Sequence, residues 1–136
     1  MTANTPHTRK AKGRKFQQAI CADILSAFDI DEKDILSTGM GQAGCDIYLS
    51  PAARVFFPFG VECKNQETWK IHKWWKQCTV NADAENLSPL LVVKKNGRPP
   101  LAVIEWHRLV SLIADAVPDY RDRVSAADIT GGPGPQ

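Results

Sequence analysis

The sequence predicts an α/β domain whose elements follow the order α-β-β-α-β-β-α. Apolar residues recur at helical spacing in three segments, and short apolar runs bounded by turn residues alternate with those segments. The run Leu90-Leu91-Val92-Val93 is continuously apolar, which is typical of a central strand covered on both faces. With 136 residues and 43% hydrophobic residues, the chain is long enough to bury one core, so one domain is expected over residues 12–117.

The first helix is predicted from about Lys12 to Phe28, because Phe16, Ile20 and Ile24 continue one apolar stripe. Just ahead of it and in its first turn lie five cations, here called the N-terminal basic run: Arg9, Lys10, Lys12, Arg14 and Lys15. Positive charge is unfavourable at a helix N-terminus, so helix stability does not explain the run. Contact with a polyanion explains it, and a solvated basic tail is the alternative. Residues 1–11 are predicted to form a flexible basic arm.

Residues 29–43 are predicted to be a linker with one helical turn over residues 31–36. The segment from Gly39 to Gly44 matches G-x-G-x-x-G, but a dinucleotide site requires a strand before this pattern and a helix after it. No convincing strand precedes it and a strand follows, so no nucleotide cofactor is expected. The glycines are instead expected to let the loop pass close to a ligand backbone or to a metal site.

Residues 44–64 are predicted to form a β-hairpin, because two apolar runs flank turn-forming residues at 50–54. Since side chains alternate along a strand, Glu62 and Lys64 share one face, and the hairpin brings Asp46 beside Glu62. Two carboxylates this close repel each other unless a cation lies between them, and Mg²⁺ is the simplest occupant. The alternative is an ordinary solvated strand edge with Asp46 in a turn.

A second helix is predicted over about residues 69–83, followed by strands at Leu90–Val93 and Leu101–Trp106 and a closing helix at Arg108–Ala116. Trp74 and Trp75 lie on the inner side of the second helix, and at least one is expected in the core. Lysines interleaved with tryptophans suit phosphate contact with stacking nearby. The polar side of this helix carries Lys70, Lys73, Lys76 and Gln77. Residues 118–136 are predicted to be a polar, disordered tail.

The four cysteines form no C-x-x-C pair and lie in or beside apolar runs, which indicates buried, reduced thiols and no zinc site. No apolar run is long enough for a membrane span and no signal peptide is recognised, so a cytoplasmic protein without a membrane partner is expected.

One set of residues occurs in a characteristic order along most of the chain. Asp46 is followed after fifteen residues by Glu62-Cys63-Lys64, which reads D-x(15)-E-x-K. Lys12-Gly13 opens the first helix, Gln77 lies on the helix after E-x-K, and Pro89-Leu90-Leu91-Val92 follows as a strand. This set resembles the PD-(D/E)XK nuclease superfamily, most closely its Holliday-junction resolvases and small phage-encoded endonucleases, and the resemblance covers about residues 12–113. It implies a restriction-endonuclease-like core, with a mixed central β-sheet flanked by helices.

The resemblance also implies the chemistry of a Mg²⁺-dependent endodeoxyribonuclease, in which Mn²⁺ would substitute. Asp46, Glu62 and the backbone carbonyl of Cys63 would bind the metal, Lys64 would assist the attacking water, and Gln77 would hold the water, the phosphate or Lys64. Archaeal-type resolvases carry a metal-binding glutamate four residues after the helix-opening glycine, where this chain has Gln17. Gln17 is a further candidate ligand, but its neutral amide weakens the assignment as a junction resolvase.

The implied partner is duplex or branched DNA, bound through its backbone by the N-terminal basic run together with Lys70, Lys73 and Lys76. Junction cleavage requires two active sites, so a homodimer is expected. Its interface would be residues 56–59 or the predicted second helix, which carries Trp74 and Trp75. The alternative functions are a non-catalytic DNA-binding module that retains the nuclease fold, and an accessory factor that binds RNA or protein.

Overall fold

A computed structural model describes residues 5–39, 41–117, 119 and 123–124. It has an α/β fold with a mixed sheet flanked by helices, which confirms the predicted fold class. Its elements in chain order are α1 (Pro6–Ala27), a 3₁₀ turn (Glu32–Asp34), β1 (Ile35–Ser37), β2 (Ile47–Leu49), α2 (Pro51–Phe56), β3 (Phe59–Asn65), α3 (Ile71–Ala84), β4 (Ser88–Lys94), β5 (Leu101–Val103) and α4 (Trp106–Ala116).

The chain divides into two compact units at residues 104 and 105. The first unit holds α1 to β5, and the second begins at Glu105 and contains α4. The predicted tail over residues 118–136 lies almost wholly outside the described residues, so the predicted domain boundaries stay predictions. No helix among the described residues is long and apolar enough to cross a membrane.

Helix α1 begins at Pro6, six residues before the predicted start. The Thr5 side chain accepts a hydrogen bond from the Thr8 N–H at 3.1 Å, and proline at the first helical position is already in helical geometry. The buried residues of α1 begin only at Phe16. The N-terminal basic run therefore lies within α1, in a part of the helix that has no buried residue. The prediction that the first of these cations lie in a flexible arm ahead of the helix is wrong.

The strands form two groups, one of two strands and one of three. In the larger group β4 is central, parallel to β3 and antiparallel to β5. Helix α3 supplies the crossover that a parallel pair requires. Leu91, Val92 and Val93 are buried in β4, which confirms the predicted central strand.

The predicted hairpin over residues 44–64 is wrong. Ser50 and Pro51, interpreted as turn residues, begin the short helix α2: the Ser50 hydroxyl accepts from the Ala53 N–H at 3.1 Å, and Pro51 occupies the first helical position. Strand β2 pairs instead with β1, a strand inside the predicted linker. Contrary to expectation, a strand, β1, therefore precedes the glycine segment. The element after the segment is the strand β2, whereas a dinucleotide site requires a helix at that place.

Helix α3 lies directly on β3, and this close approach requires a glycine at position 60. A Cβ atom at Gly60 would lie 2.6 Å from Cβ and 2.8 Å from Cα of Ala82. Trp74 and Cys78 of α3 pack with the buried side chains of β4, which places Trp74 in the core as predicted. The four cysteines are free and buried, also as predicted.

Two boundaries in the C-terminal half differ from the prediction. Strand β5 ends at Val103, three residues before the predicted end, because α4 already begins at Trp106. The Glu105 carboxylate accepts a hydrogen bond from the His107 N–H at 3.2 Å and caps this helix. The early helix start was missed because Glu105 is not among the usual N-cap residues.

Candidate active site

Asp46 is fixed against the middle of β3 although the predicted hairpin is absent. Its backbone N–H donates to the Val61 carbonyl at 2.9 Å, and its Oδ2 accepts from the Cys63 N–H at 2.8 Å. On its other side, the Asp46 carbonyl accepts from the Thr38 N–H and hydroxyl at 2.9 and 3.0 Å. These four bonds hold the carboxylate beside the E-x-K strand.

Glu62 is a buried acid with incomplete hydrogen bonding. Only 3% of the residue is exposed, and Oε1 lies 3.7 Å from Lys64 Nζ. Oε2 is buried and has no hydrogen-bond partner among the described residues. Buried polar atoms are normally satisfied, so an unpaired carboxylate oxygen marks a place for a further partner.

Lys64 lies between Glu62 and an aromatic ring. Its Nζ is 6.0 Å from the ring centroid of Trp74, and its side chain keeps 23% of its surface exposed. Because Trp74 is buried in the core, this side of the lysine has a rigid support. The ammonium can therefore reach solvent or a substrate without losing its position.

The electrostatics of the carboxylate pair, Asp46 and Glu62, favour a bound cation. Burial, and after it the charge of Asp46, raises the pKa of Glu62 to about 7, while Lys64 and Asn81 act in the opposite direction. Burial also raises the pKa of Asp46, opposed by the Cys63 N–H and Lys64. A positive charge between the two carboxylates would relieve both effects.

The donors present fit a hard divalent cation, and the unpaired Glu62 Oε2 is the observation that supports this. The N–H and C=O of one strand residue point to the same edge, so the Cys63 carbonyl faces the edge where Asp46 lies. Carboxylate and carbonyl oxygens are the ligands that Mg²⁺ and Mn²⁺ prefer. Within the part of the chain that the structure describes, no three His, Cys, Asp or Glu side chains come together, so neutral oxygens or water would complete the site.

Gln17 supports the segment that carries Asp46. It is 4% exposed, and its Oε1 accepts a hydrogen bond from the Ser37 hydroxyl at 2.8 Å. Ser37 is adjacent to Thr38, which in turn holds the Asp46 carbonyl. The structure thus gives Gln17 a packing and hydrogen-bonding role, and its role as a metal ligand stays a prediction.

Asn81 contacts the site although the sequence reasoning passed over it. Its Nδ2 donates to the Gly44 carbonyl at 3.2 Å, and its amide, close to Glu62, acts to lower the pKa of that carboxyl. Gln77, one turn earlier on α3, is exposed, and its predicted role stays a prediction. The signal available in the sequence was the position of Asn81 beside the buried stripe that Cys78 and Ala82 continue.

The glycine segment before Asp46 adopts backbone conformations that favour glycine. Gly41 and Gly44 have φ values of 80° and 97°, in the left-handed region. A Cβ atom at either position would meet no atom of the described residues within 4 Å, so backbone conformation and not crowding is what favours glycine at both positions.

The predicted phosphate-binding cations lie at the surface of two helices. Four members of the N-terminal basic run are exposed and Lys12 is half-buried, while Lys70, Lys73 and Lys76 are exposed at the start of α3. None of these eight residues forms an ion pair with a described residue. Their charge is therefore available to an external anion.

The sequence was also compared with known proteins. A family model described as "Phage putative PDDEXK endonuclease" matches residues 8–131, which is most of the chain. No curated protein and no solved structure gives a significant match.

Proposed function

The chain belongs to the family of phage PD-(D/E)XK endonucleases, and we propose that it hydrolyses DNA phosphodiester bonds with the help of a divalent metal ion. The observation that supports this most directly is the convergence of Asp46, Glu62 and Lys64, with a buried Glu62 Oε2 that has no hydrogen-bond partner among the described residues. As a phage enzyme acting on DNA, it would work in the cytoplasm of the bacterial host.

Asp46, Glu62 and the Cys63 carbonyl would hold Mg²⁺, and Mn²⁺ would substitute. When bound, such an ion offsets the charge of the scissile phosphate and lowers the pKa of a water molecule. Lys64 orients the attacking water and donates to the phosphate oxygens on which negative charge accumulates. Glu62 at 3.7 Å and the Trp74 ring keep the Lys64 ammonium in place before the substrate arrives.

The substrate would be recognised through its backbone. The exposed cations of α1 and α3 can neutralise several phosphates, which gives affinity without reading sequence. Duplex and branched DNA are both compatible with this mode of binding.

A homodimer would bring two such sites to a four-way junction. Of the predicted interface segment at residues 56–59, Phe56 is 58% exposed, whereas Phe59 is buried and opens β3. The surface that remains for an interface here is therefore Phe56 together with the exposed Val55. Sedimentation of the wild type beside a Val55→Ser, Phe56→Ser variant tests the dimer, and a monomeric wild type would overturn it.

The proposed activity is tested with labelled plasmid, nicked and four-way-junction DNA, each in Mg²⁺, Mn²⁺ or chelator. We expect metal-dependent cutting by the wild type and none by Asp46→Ala or Lys64→Ala. The control is Lys33→Ala, since Lys33 is an exposed lysine that pairs with Asp31 and is not one of the proposed site residues, and this variant should cut like the wild type.

Tight binding without cutting in any metal would overturn the nuclease proposal and favour the non-catalytic module. The observation that favours the non-catalytic module is Gln17, a neutral residue whose amide oxygen already accepts a hydrogen bond from Ser37. The intact set of Asp46, Glu62 and Lys64 is why we place catalysis first.

A further inference from the structure

Two segments meet where the parallel strands β3 and β4 end, and together they form one fixed surface. The Gln66 N–H donates to the Lys94 carbonyl at 3.0 Å, and the Trp69 indole N–H reaches the same carbonyl at 3.4 Å. The Asn96 N–H donates to Glu67 Oε1 at 2.9 Å. These three bonds fasten the β4–β5 turn to the chain that leads into α3.

This surface concentrates positive charge. It carries five cations, here called the strand-end basic patch: Lys70, Lys73, Lys94, Lys95 and Arg98. None of the five forms an ion pair with a described residue, and Glu67 directs its Oε1 to a backbone N–H. Lys95 Nζ lies 5.1 Å from the centroid of the Trp69 ring, so the patch combines cations with an aromatic surface.

Helix stability does not account for these charges. Helix α3 has Lys70 at its N-cap, no side-chain cap and no acid in its first turn, whereas its last turn has no base. Both arrangements oppose the preference of the helix dipole for acids at the start and bases at the end. A positive helix start beside further cations instead favours a bound anion.

The patch is continuous with the candidate active site. In the β3–β4 register Lys64 lies opposite Val93 and Asn65 lies opposite Lys94. Because neighbouring strands are about 4.8 Å apart, the strand ends that carry the patch begin one residue beyond the proposed catalytic lysine. Side chains alternate along a strand, so Lys94 shares the face of Asn65 and not that of Lys64. Gly97, with a φ of 71°, then turns the chain so that Lys95 and Arg98 both remain exposed.

We propose that the strand-end basic patch binds backbone phosphates of the DNA on one side of the bond that is cut. This inference rests on the proposed function for the identity of the polyanion. It adds the β4–β5 turn to the DNA-binding surface and extends that surface from the strand end after Lys64 toward Lys95 and Arg98.

The test is the salt dependence of DNA binding by a Lys95→Ala, Arg98→Ala double variant of the full chain. Binding of a labelled duplex is followed by fluorescence anisotropy in chelator, so that no cutting occurs. Loss of two phosphate contacts should make the slope of log K against log salt shallower by about 1.8. Between about 50 and 200 mM salt, the wild type should then lose about 12-fold more affinity than the variant loses.

Two controls separate charge at this place from general effects. Lys95→Arg, Arg98→Lys preserves both charges and should keep the wild-type slope. Lys33→Ala removes an exposed cation that is not part of the patch and should also leave the slope unchanged. Both residues of the double variant are exposed, so circular dichroism should show an unchanged fold.

A slope that stays at the wild-type value in the double variant would overturn the proposal. That result together with intact metal-dependent cleavage would overturn the patch alone. A shallower slope in a protein that cuts no DNA would support the patch and overturn the nuclease function.

Discussion

Replacing Glu62 with glutamine should stabilise the metal-free protein at alkaline pH. Glu62 is 3% exposed, and its Oε2 has no hydrogen-bond partner among the described residues. Burial and the charge of Asp46 raise its pKa from an ordinary value of 4.5 to about 7. At about 1.36 kcal/mol per pKa unit, ionising Glu62 in the fold costs about 3 kcal/mol of stability.

The pH dependence has a definite sign. Because the folded pKa lies above the unfolded one, the folded protein holds a proton that the unfolded chain has lost between pH 4.5 and about 7. Wild-type stability should therefore fall as the pH rises through this window and stay low above it. Below about pH 4.5 the wild type and Glu62→Gln should converge, since Glu62 is protonated in both states.

The assay is thermal unfolding by circular dichroism in chelator, at about pH 8 and about pH 4.5. A gain of about 3 kcal/mol corresponds to a rise of roughly 10 °C in the Tm of Glu62→Gln at the higher pH. The matched control is Glu32→Gln, since Glu32 is exposed and should show no such gain. Saturating Mg²⁺ should stabilise the wild type and have much less effect on Glu62→Gln.

A Glu62→Gln protein that is less stable than the wild type at alkaline pH would refute this reasoning. So would a gain of equal size at both pH values. Either result would mean that the Glu62 carboxylate is satisfied in the metal-free fold.

Three further changes test the packing, the support of the site and the DNA-binding surface. Gly60→Ala places a Cβ 2.8 Å from the Ala82 backbone, and should lower the free energy of unfolding by about 1–3 kcal/mol in a denaturant titration; an unchanged value would mean that α3 can move away. Asn81→Ala should raise the Mg²⁺ concentration needed for half-maximal cleavage more than it lowers the rate at saturation, because Asn81 holds the Gly44 carbonyl and favours the ionised form of Glu62. An unchanged metal requirement would exclude this role. Alanine throughout the N-terminal basic run should make the salt slope of DNA binding shallower by about 4.5; a slope equal to that of the wild type would show that the run does not touch phosphate.

The grouping of Asp46 with Glu62 and Lys64 was predictable from the motif and its resemblance to PD-(D/E)XK nucleases, whereas the chemical roles of these residues stay predictions. Two acids and a lysine in the order D-x(15)-E-x-K indicated a charged cluster, and the structure brings Asp46 beside the strand that carries Glu62 and Lys64. The route of the chain between them was not predictable in the same way. Ser50-Pro51 has the chemistry of both a turn and a helix start, and only the pairing of β2 with β1 decides between them.

Short strands and contacts between distant parts of the chain could not be predicted from the sequence. Strand β1 has three residues, too few for an alternation pattern to stand out beside the acidic residues before it. The role of Asn81 depends on how closely α3 approaches β3. The sequence contains Gly60 but does not show that Ala82 of α3 packs against it. The start of α1 was missed because no apolar stripe extends into residues 6–15, where Thr5 and Pro6 set the boundary.

The most direct test of the claim that Asp46 and Glu62 share one cation is a Mn²⁺ titration followed by electron paramagnetic resonance. Mn²⁺ that binds the protein no longer contributes to the sharp signal of the free ion, so the loss of that signal measures binding. The wild type should bind Mn²⁺, Asp46→Asn and Glu62→Gln should each lose that binding, and Lys64→Ala should bind at least as tightly as the wild type because a neighbouring positive charge is gone. Mn²⁺ binding that is equal in the wild type, Asp46→Asn and Glu62→Gln would contradict the claim that these two carboxylates share one cation.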